Sequence, residues 1–330
     1  MRNPDHAPWR EVPSFARIDS QLRQVNDLIH RSLSSRDAVG ELSPLFDHLH
    51  ISTGKLLRPG LVLLAGECFG PLTEEHVRVA AMVEMIHHAT LLHDDVIDDG
   101  HLRRGVPTAN RLWGNESAVL LGDFVLSRVF RMAADLDAAI AKVVAQTAVR
   151  VCEGELRQVM QRQNWRLSEA QYIEIIADKS ASFFSGCCRL GAMLSHAGEK
   201  HVEAVSRFGL AAGIAFQMAD DLLDIVGEEA RTGKTGRRDV AKDKLTLAVI
   251  HLLETAGEEE AIRVQAMLES GNESRRELGD MLRRQGCLQY ARQRAEDYVA
   301  IAVQSLADLP ASGARDALIE TSRFMADRTI

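Results

Sequence analysis

Aromatic residues make up only 5% of this 330-residue chain, and it holds 8 prolines and 5 cysteines. Strands are enriched in aromatic and β-branched side chains, whereas Ala and Leu, which recur throughout here among 46% hydrophobic residues, favour helices. The scarcity of aromatics therefore points to an all-α fold. Few prolines, no low-complexity linker and no short repeat point to a single domain over residues 1–330. Cys68, Cys152, Cys187, Cys188 and Cys287 form no CxxC pair, and an odd count with two adjacent members excludes a disulfide framework, leaving reduced core thiols. The first 14 residues, MRNPDHAPWREVPS, lack an apolar h-region and read as a flexible N-terminal segment. The longest charge-free stretch, Phe208 to Ala219, is far below the ~20 residues a membrane helix needs, so no span and a cytoplasmic location are expected. There is no excess of positive charge either. A net charge of −8 argues against a nucleic-acid partner, which calls for a basic face.

What is present is helical periodicity. Val77, Ala80, Ala81, Val83 and Met85 recur at helix spacing, as do Val119, Leu120, Phe124, Leu126 and Phe130. Helix starts are marked by Thr73 ahead of Glu74 and Glu75 and by the capping-box spacings Ser168 to Gln171 and Ser274 to Glu277, and ends by Gly54, Gly70, Gly198 and Gly257. Two segments echo each other: Leu91 to Asp98, LLHDDVID, and Gln217 to Asp224, QMADDLLD, both apolar runs ending in DDxxD.

On a helix, Asp94 and Asp98 share a face, as do Asp220 and Asp224. Like charges at that spacing repel by a few tenths of a kcal/mol, and the apolar run beside them withholds solvation, so a compensating cation is expected. One such motif can be a solvated helix end; two on apolar helices suit magnesium, a hard ion that takes one or two carboxylates plus substrate phosphates. Calcium is less suited, because the EF-hand spacing with its Gly and twelfth-position Glu is missing. Cations for the phosphates are close in sequence: Lys55 and Arg58 in GKLLRP at a helix start, Arg103 and Arg104, Lys179, and the basic loop 231–238 with Lys244 beyond it.

In these residues the chain resembles the trans-type polyprenyl diphosphate synthase family from about Lys55 to Ala248. GKLLRP, HDDVIDDGHLRRGVPTAN and FQMADDLLDI carry the likeness, with Leu121 to Phe124 and Glu153 to Leu156 between them. The resemblance implies a helical bundle around a deep central cavity, a homodimer, and three Mg2+ ions bound with an allylic diphosphate. It implies Asp94, Asp98 and Asp220 as main metal ligands, with Asp95, Asp221 and Asp224 in support. Arg103, Lys179, Lys234 and Lys244 would hold the allylic diphosphate, and Lys55, Arg58, His87 and Arg104 isopentenyl diphosphate. The Lys179 carbonyl, Ser180 hydroxyl and Gln217 amide would face the carbocation. Lys179-Ser180 replaces the family's Lys-Thr, and Arg237, Asp243 and Ala248 depart from the glycines and proline of its second loop. Small residues at Ala89 and Thr90, with Ile86 one turn deeper, imply a passage for a chain of six to ten isoprene units. Alternatives are a farnesyl or geranylgeranyl synthase, a class I terpene cyclase, which would leave Lys55, Arg58, His87 and Arg104 unexplained, and a non-catalytic partner subunit, for which two intact acidic motifs are unexpected.

Overall fold

The computed structural model describes residues 7–34, 42–51, 54–103, 105–231, 245–269 and 275–327. Arg104, Lys234, Arg237, Asp243, Lys244 and Ser274 lie outside these residues, as does the side chain of Asp224. The expected all-α class is what the chain adopts. The helices are α1 (Asp19–Leu33), α2 (Ser43–Ile51), α3 (Leu57–Glu67), α4 (Glu74–Ile97), α5 (Ala109–Ala133), α6 (Ala138–Met160), α7 (Glu169–Ile176), α8 (Ser182–Leu194), α9 (Glu199–Arg231), α10 (Leu247–Thr255), α11 (Glu258–Glu269), α12 (Arg275–Arg284), α13 (Cys287–Ser305) and α14 (Gly313–Ala326). One short antiparallel hairpin joins α4 to α5, with β1 (Leu102–Arg103) pairing Leu102 with Pro107 and Arg103 with Val106 of β2 (Val106–Pro107).

The chain divides into two compact units. The first comprises residues 1–148, 184–206 and 308–321. Here α1 buries Leu22, Val25, Ile29 and Leu33 at i, i+3, i+4 spacing. Each such side chain contributes about 1.5–3 kcal/mol of transfer free energy. α3 is apolar all round and buried from Leu57 to Gly66 apart from Arg58, as a helix enclosed by others must be. α4 is buried from His76 to Ile86 except at Arg78, then opens one face that carries His87, Thr90, Leu91 and Asp94. In α5, Gly114 takes φ +83°, which breaks the helix near its start and which other residues rarely adopt.

The second unit comprises residues 149–183, 207–307 and 322–330. Its core gathers Tyr172 and Ile176 of α7, Met218 and Leu222 of α9, Ile250 of α10, Leu282 of α12 and Ala291 of α13.

Two expectations change. Of the N-terminal segment read as flexible, residues 7–14 instead form short 3-10 turns with Trp9 and Val12 buried, anchored where the Trp9 indole donates to Asp19 at 2.9 Å. The composition of this segment is polar, but Trp9 and Val12, with Phe15 just beyond it, find a core. The helix expected to open at Lys55 starts at Leu57, because Leu56 sits in the left-handed region at φ 51°. The thiols follow expectation in part: all five are unbridged and Cys187, Cys188 and Cys287 are core residues, but Cys68 is half-buried and Cys152 is exposed on α6.

Candidate active site

In the first unit, the last turn of α4 presents Asp94 partly exposed, with the backbone N–H of Asp98 donating to the Asp94 carbonyl at 2.8 Å. Asp95 turns the other way. It is buried, and both its oxygens accept from Arg103, at 3.2 and 3.1 Å from Nε and 2.8 Å from one terminal nitrogen. The hairpin returns Arg103 to that carboxylate, and the Asn110 amide donates to the Asp95 carbonyl at 3.0 Å. A bidentate Arg–carboxylate pair of this kind is strong and geometrically specific. Of the other cations in this unit, Lys55 pairs with Glu11 at 3.0 Å, while the Arg58 guanidinium lies 4.7 Å from the Phe184 ring centre. His87 is partly exposed and its carbonyl accepts from the Thr90 hydroxyl at 2.8 Å. Ile86 and Ala89 are buried, Ala89 completely.

In the second unit, α7 passes into a π-helical turn, Ala177–Ala181, that carries Lys179 and Ser180. Single π turns of this type recur at functional sites. Gly154 of α6 explains how the turn is held. A Cβ there would lie 2.2 Å from the Lys179 backbone nitrogen, so only glycine lets α6 pass so close. The Lys179 ammonium bonds Glu155 and Gln158 of the same helix, and Arg157 pairs with Asp178 at 3.0 Å. From Ser180 a chain of hydrogen bonds runs to the second acidic motif. The Ser180 hydroxyl donates to Gln217 Oε1 at 2.7 Å, Gln217 Nε2 donates to Asp221 Oδ1 at 2.9 Å, and the Tyr172 hydroxyl donates to Asp221 Oδ2 at 2.6 Å. Burial pushes the Asp221 carboxyl up to about 6 against the pull of its two donors, and burial together with the Asp221 charge raises the Tyr172 phenol well above its ordinary value. Asp220 is partly exposed beside it.

Each DDxxD motif thus has an inner carboxylate, Asp95 or Asp221, with both oxygens engaged by protein donors, and a partly exposed aspartate, Asp94 or Asp220, immediately before it. The family resemblance implied roles for Lys179, Ser180 and Gln217, and of these Ser180 and Gln217 are hydrogen-bonded in line with Asp221 of the second motif. Glu155, Gln158 and Tyr172 were not anticipated. Glu153-Gly154-Glu155 stood out only as a segment, and nothing in the sequence separates a tyrosine bonded to a carboxylate from one that fills a core, beyond the need of a buried phenol for a partner.

An all-helical chain with two acidic helix motifs, one braced by Arg103 and the other by Tyr172 and Gln217, belongs to the class of enzymes that handle prenyl diphosphates. Residues 40–284 match the model of the Polyprenyl synthetase family, and the chain belongs to that family. It is a trans-prenyltransferase, a polyprenyl diphosphate synthase. It is 33% identical over 318 residues to a short chain isoprenyl diphosphate synthase of Methanothermobacter thermautotrophicus, covering 93% of this chain and 97% of the relative. It is 34% identical over 279 residues to octaprenyl diphosphate synthase of Escherichia coli, covering 83% and 86%. The solved polyprenyl synthase of Caulobacter crescentus, complexed with calcium and isoprenyl diphosphate, superposes with a TM-score of 0.88 at 33% identity, covering 96% of this chain and 98% of that one.

Proposed function

We propose that this enzyme condenses an allylic diphosphate with isopentenyl diphosphate by successive head-to-tail additions, giving an all-trans chain of six to ten isoprene units, and that it does so as one functional domain in a cytoplasmic homodimer. The observation that carries the reading is the repeated arrangement of an anchored inner aspartate beside a partly exposed one, Asp94 or Asp220, on two helices of a chain from this family. Magnesium fits the donor set: the ligands are all carboxylate oxygens, and among the described residues no group of three His, Cys, Asp or Glu side chains is placed to hold an ion by itself, which suits a cation that completes its shell with diphosphate oxygens. Asp94, Asp98 and Asp220 would hold it, with Asp95, Asp221 and Asp224 in support; three ions are expected. When bound, it would neutralise charge on the departing diphosphate.

The protein's own groups do the rest. Lys179 and Arg103, with Lys234 and Lys244, would fix the allylic diphosphate as its carbon–oxygen bond ionises, and Lys55, Arg58, His87 and Arg104 would present isopentenyl diphosphate to the cation. Ser180 and Gln217 would direct oxygen dipoles at the allylic carbocation, and apolar walls would keep water from it. The product length is supported by the octaprenyl relative and by small Thr90 on the open face of α4; the short-chain relative is the competing outcome. The homodimer is supported by apolar residues exposed on helices: Val119, Leu120 and Phe130 on α5 of the first unit, and Val149, Leu156 and Met160 on α6 in the second. No described helix is long and apolar enough to cross a membrane.

Purified protein supplied with both diphosphates and Mg2+ should form a polyprenyl diphosphate whose length is read by mass. Asp94→Ala and Asp220→Ala should each lower kcat/KM by about 100-fold or more with unchanged helical circular dichroism. Near-normal turnover in either variant would sink the two-motif mechanism.

A further inference from the structure

Tyr172 touches none of the groups assigned to substrate, yet it is 3% exposed and spends its hydroxyl on the second acidic motif. The direction of the chain it begins can be worked out atom by atom. An ionised Asp221 only accepts, and both its oxygens are occupied, one by the Tyr172 hydroxyl at 2.6 Å and the other by Gln217 Nε2 at 2.9 Å. Gln217 must therefore point its NH2 at Asp221. Its carbonyl oxygen is left facing Ser180, 2.7 Å away, so the Ser180 hydroxyl has to donate to it and cannot donate elsewhere. The lone pairs of Ser180 Oγ are then turned away from Gln217, which is the orientation required of a dipole that faces a cation. Were Asp221 freed to rotate, the Gln217 amide could flip and the Ser180 proton could turn towards the substrate.

We propose that Tyr172 is a positioning residue for the allylic ionisation step: by clamping Asp221 it fixes the Gln217 amide, and through it the Ser180 hydroxyl, with oxygen lone pairs presented to the carbocation. This rests on the proposed function, in which Ser180 and Gln217 face that cation. The buried setting strengthens the device, since hydrogen bonds in a chain polarise one another and act in a low local dielectric. The short phenol–carboxylate contact is of the charge-assisted kind, the strongest in the chain.

Tyr172→Phe removes one oxygen and keeps the ring. It should lower kcat by about 10-fold or more, leave the KM for isopentenyl diphosphate within about twofold, and leave Mg2+-dependent binding of inorganic pyrophosphate, followed by calorimetry, within about threefold. The decisive arm is a double-mutant cycle with Ser180→Ala: once the Ser180 hydroxyl is gone, Tyr172→Phe should cost less than about twofold further. Unchanged kcat in Tyr172→Phe, or losses that multiply in the double variant, would overturn the proposal, as would a KM for isopentenyl diphosphate that rises in step with the fall in kcat. Should Tyr172→Phe melt too early to assay, 4-fluorophenylalanine at position 172 fills the volume of the hydroxyl without donating and is put through the same cycle. An inactive wild type would instead refute the proposed function, so the two failures are distinguishable.

Discussion

Thr90 and Ala89 are neighbours in the chain with opposite surroundings. Thr90 lies within about 40° of Asp94 around α4, on the partly exposed face, whereas Ala89 is about 140° away at ~100° per residue and is completely buried. Both were expected to line the passage for the growing chain, and their surroundings make the two substitutions different experiments. Thr90→Phe should place a ring on the open face and shorten the product to three or four isoprene units, read by mass spectrometry of the dephosphorylated chain. Ala89→Phe should act first on stability, with overpacking costing about 1–3 kcal/mol and visible as a lower melting temperature. A Thr90→Phe enzyme with the wild-type product would remove α4 from the determination of length. At this scale the legible residues were those with a spacing to announce them, such as Asp94 and Asp98 four apart, while the pairing of Lys179 with Ser180 stood out only through the family resemblance. Tyr172 and Glu155 were not legible, because their roles depend on partners 49 and 24 positions away in the chain.

The start of α4 shows what an element owes to one titratable side chain. His76 is fully buried at the third position of the helix. Its Nδ1 accepts from the Thr73 N–H at 3.2 Å, and its Nε2 meets the Ser195 hydroxyl at 3.0 Å. Ser195 donates its proton to the Gly66 carbonyl at 2.8 Å, so Nε2 must carry the hydrogen and the ring is satisfied only when neutral. Burial lowers the His76 pKa, opposed by a hydrogen bond to the Gly191 backbone and by the Glu75 charge and assisted by His196, and a cation at a helix N-terminus is unfavourable in addition. With the folded value below ~6.5, the unfolded chain binds more protons in between. Stability is therefore complete above that pH and is lost as pH falls towards the folded value. Melting temperature should decline from pH 7 to 5 more steeply in wild type than in His76→Gln, whose glutamine preserves a capping box. Equal slopes would assign the acid sensitivity to other groups. Periodicity and caps made most helices readable, including this start at Thr73. They missed the β1–β2 hairpin, since two-residue strands show no alternation, and they misplaced the start of α3, where the left-handed Leu56 carries no compositional mark.

For the whole molecule, the apolar residues left outside set the expectation. Phe130 is 68% exposed and Met160 81%. On α6, Val149, Leu156 and Met160 fall within about 40° of one another at ~100° per residue, a continuous stripe rather than scattered exposure. If these stripes are covered by a second copy, light scattering should give twice the 36.4 kDa chain mass, and Phe130→Glu with Leu156→Glu should return it to one. A wild-type monomer at micromolar concentration would refute the dimer.

The distribution of thiols turns that association into something a reagent can follow. Burial pushes Cys68 and Cys187 up to about 12 and raises Cys188 well above the ordinary thiol value, so none of these offers much thiolate at neutral pH. Cys152 is exposed and stands on α6 between Val149 and Leu156, at the edge of the stripe, about 40° from Leu156 at ~100° per residue. If a second copy covers this stripe, the native protein contains an alkylation gauge at the surface in question: the exposed Cys152 should label more slowly at high concentration than on dilution, which reports association without any engineered reporter.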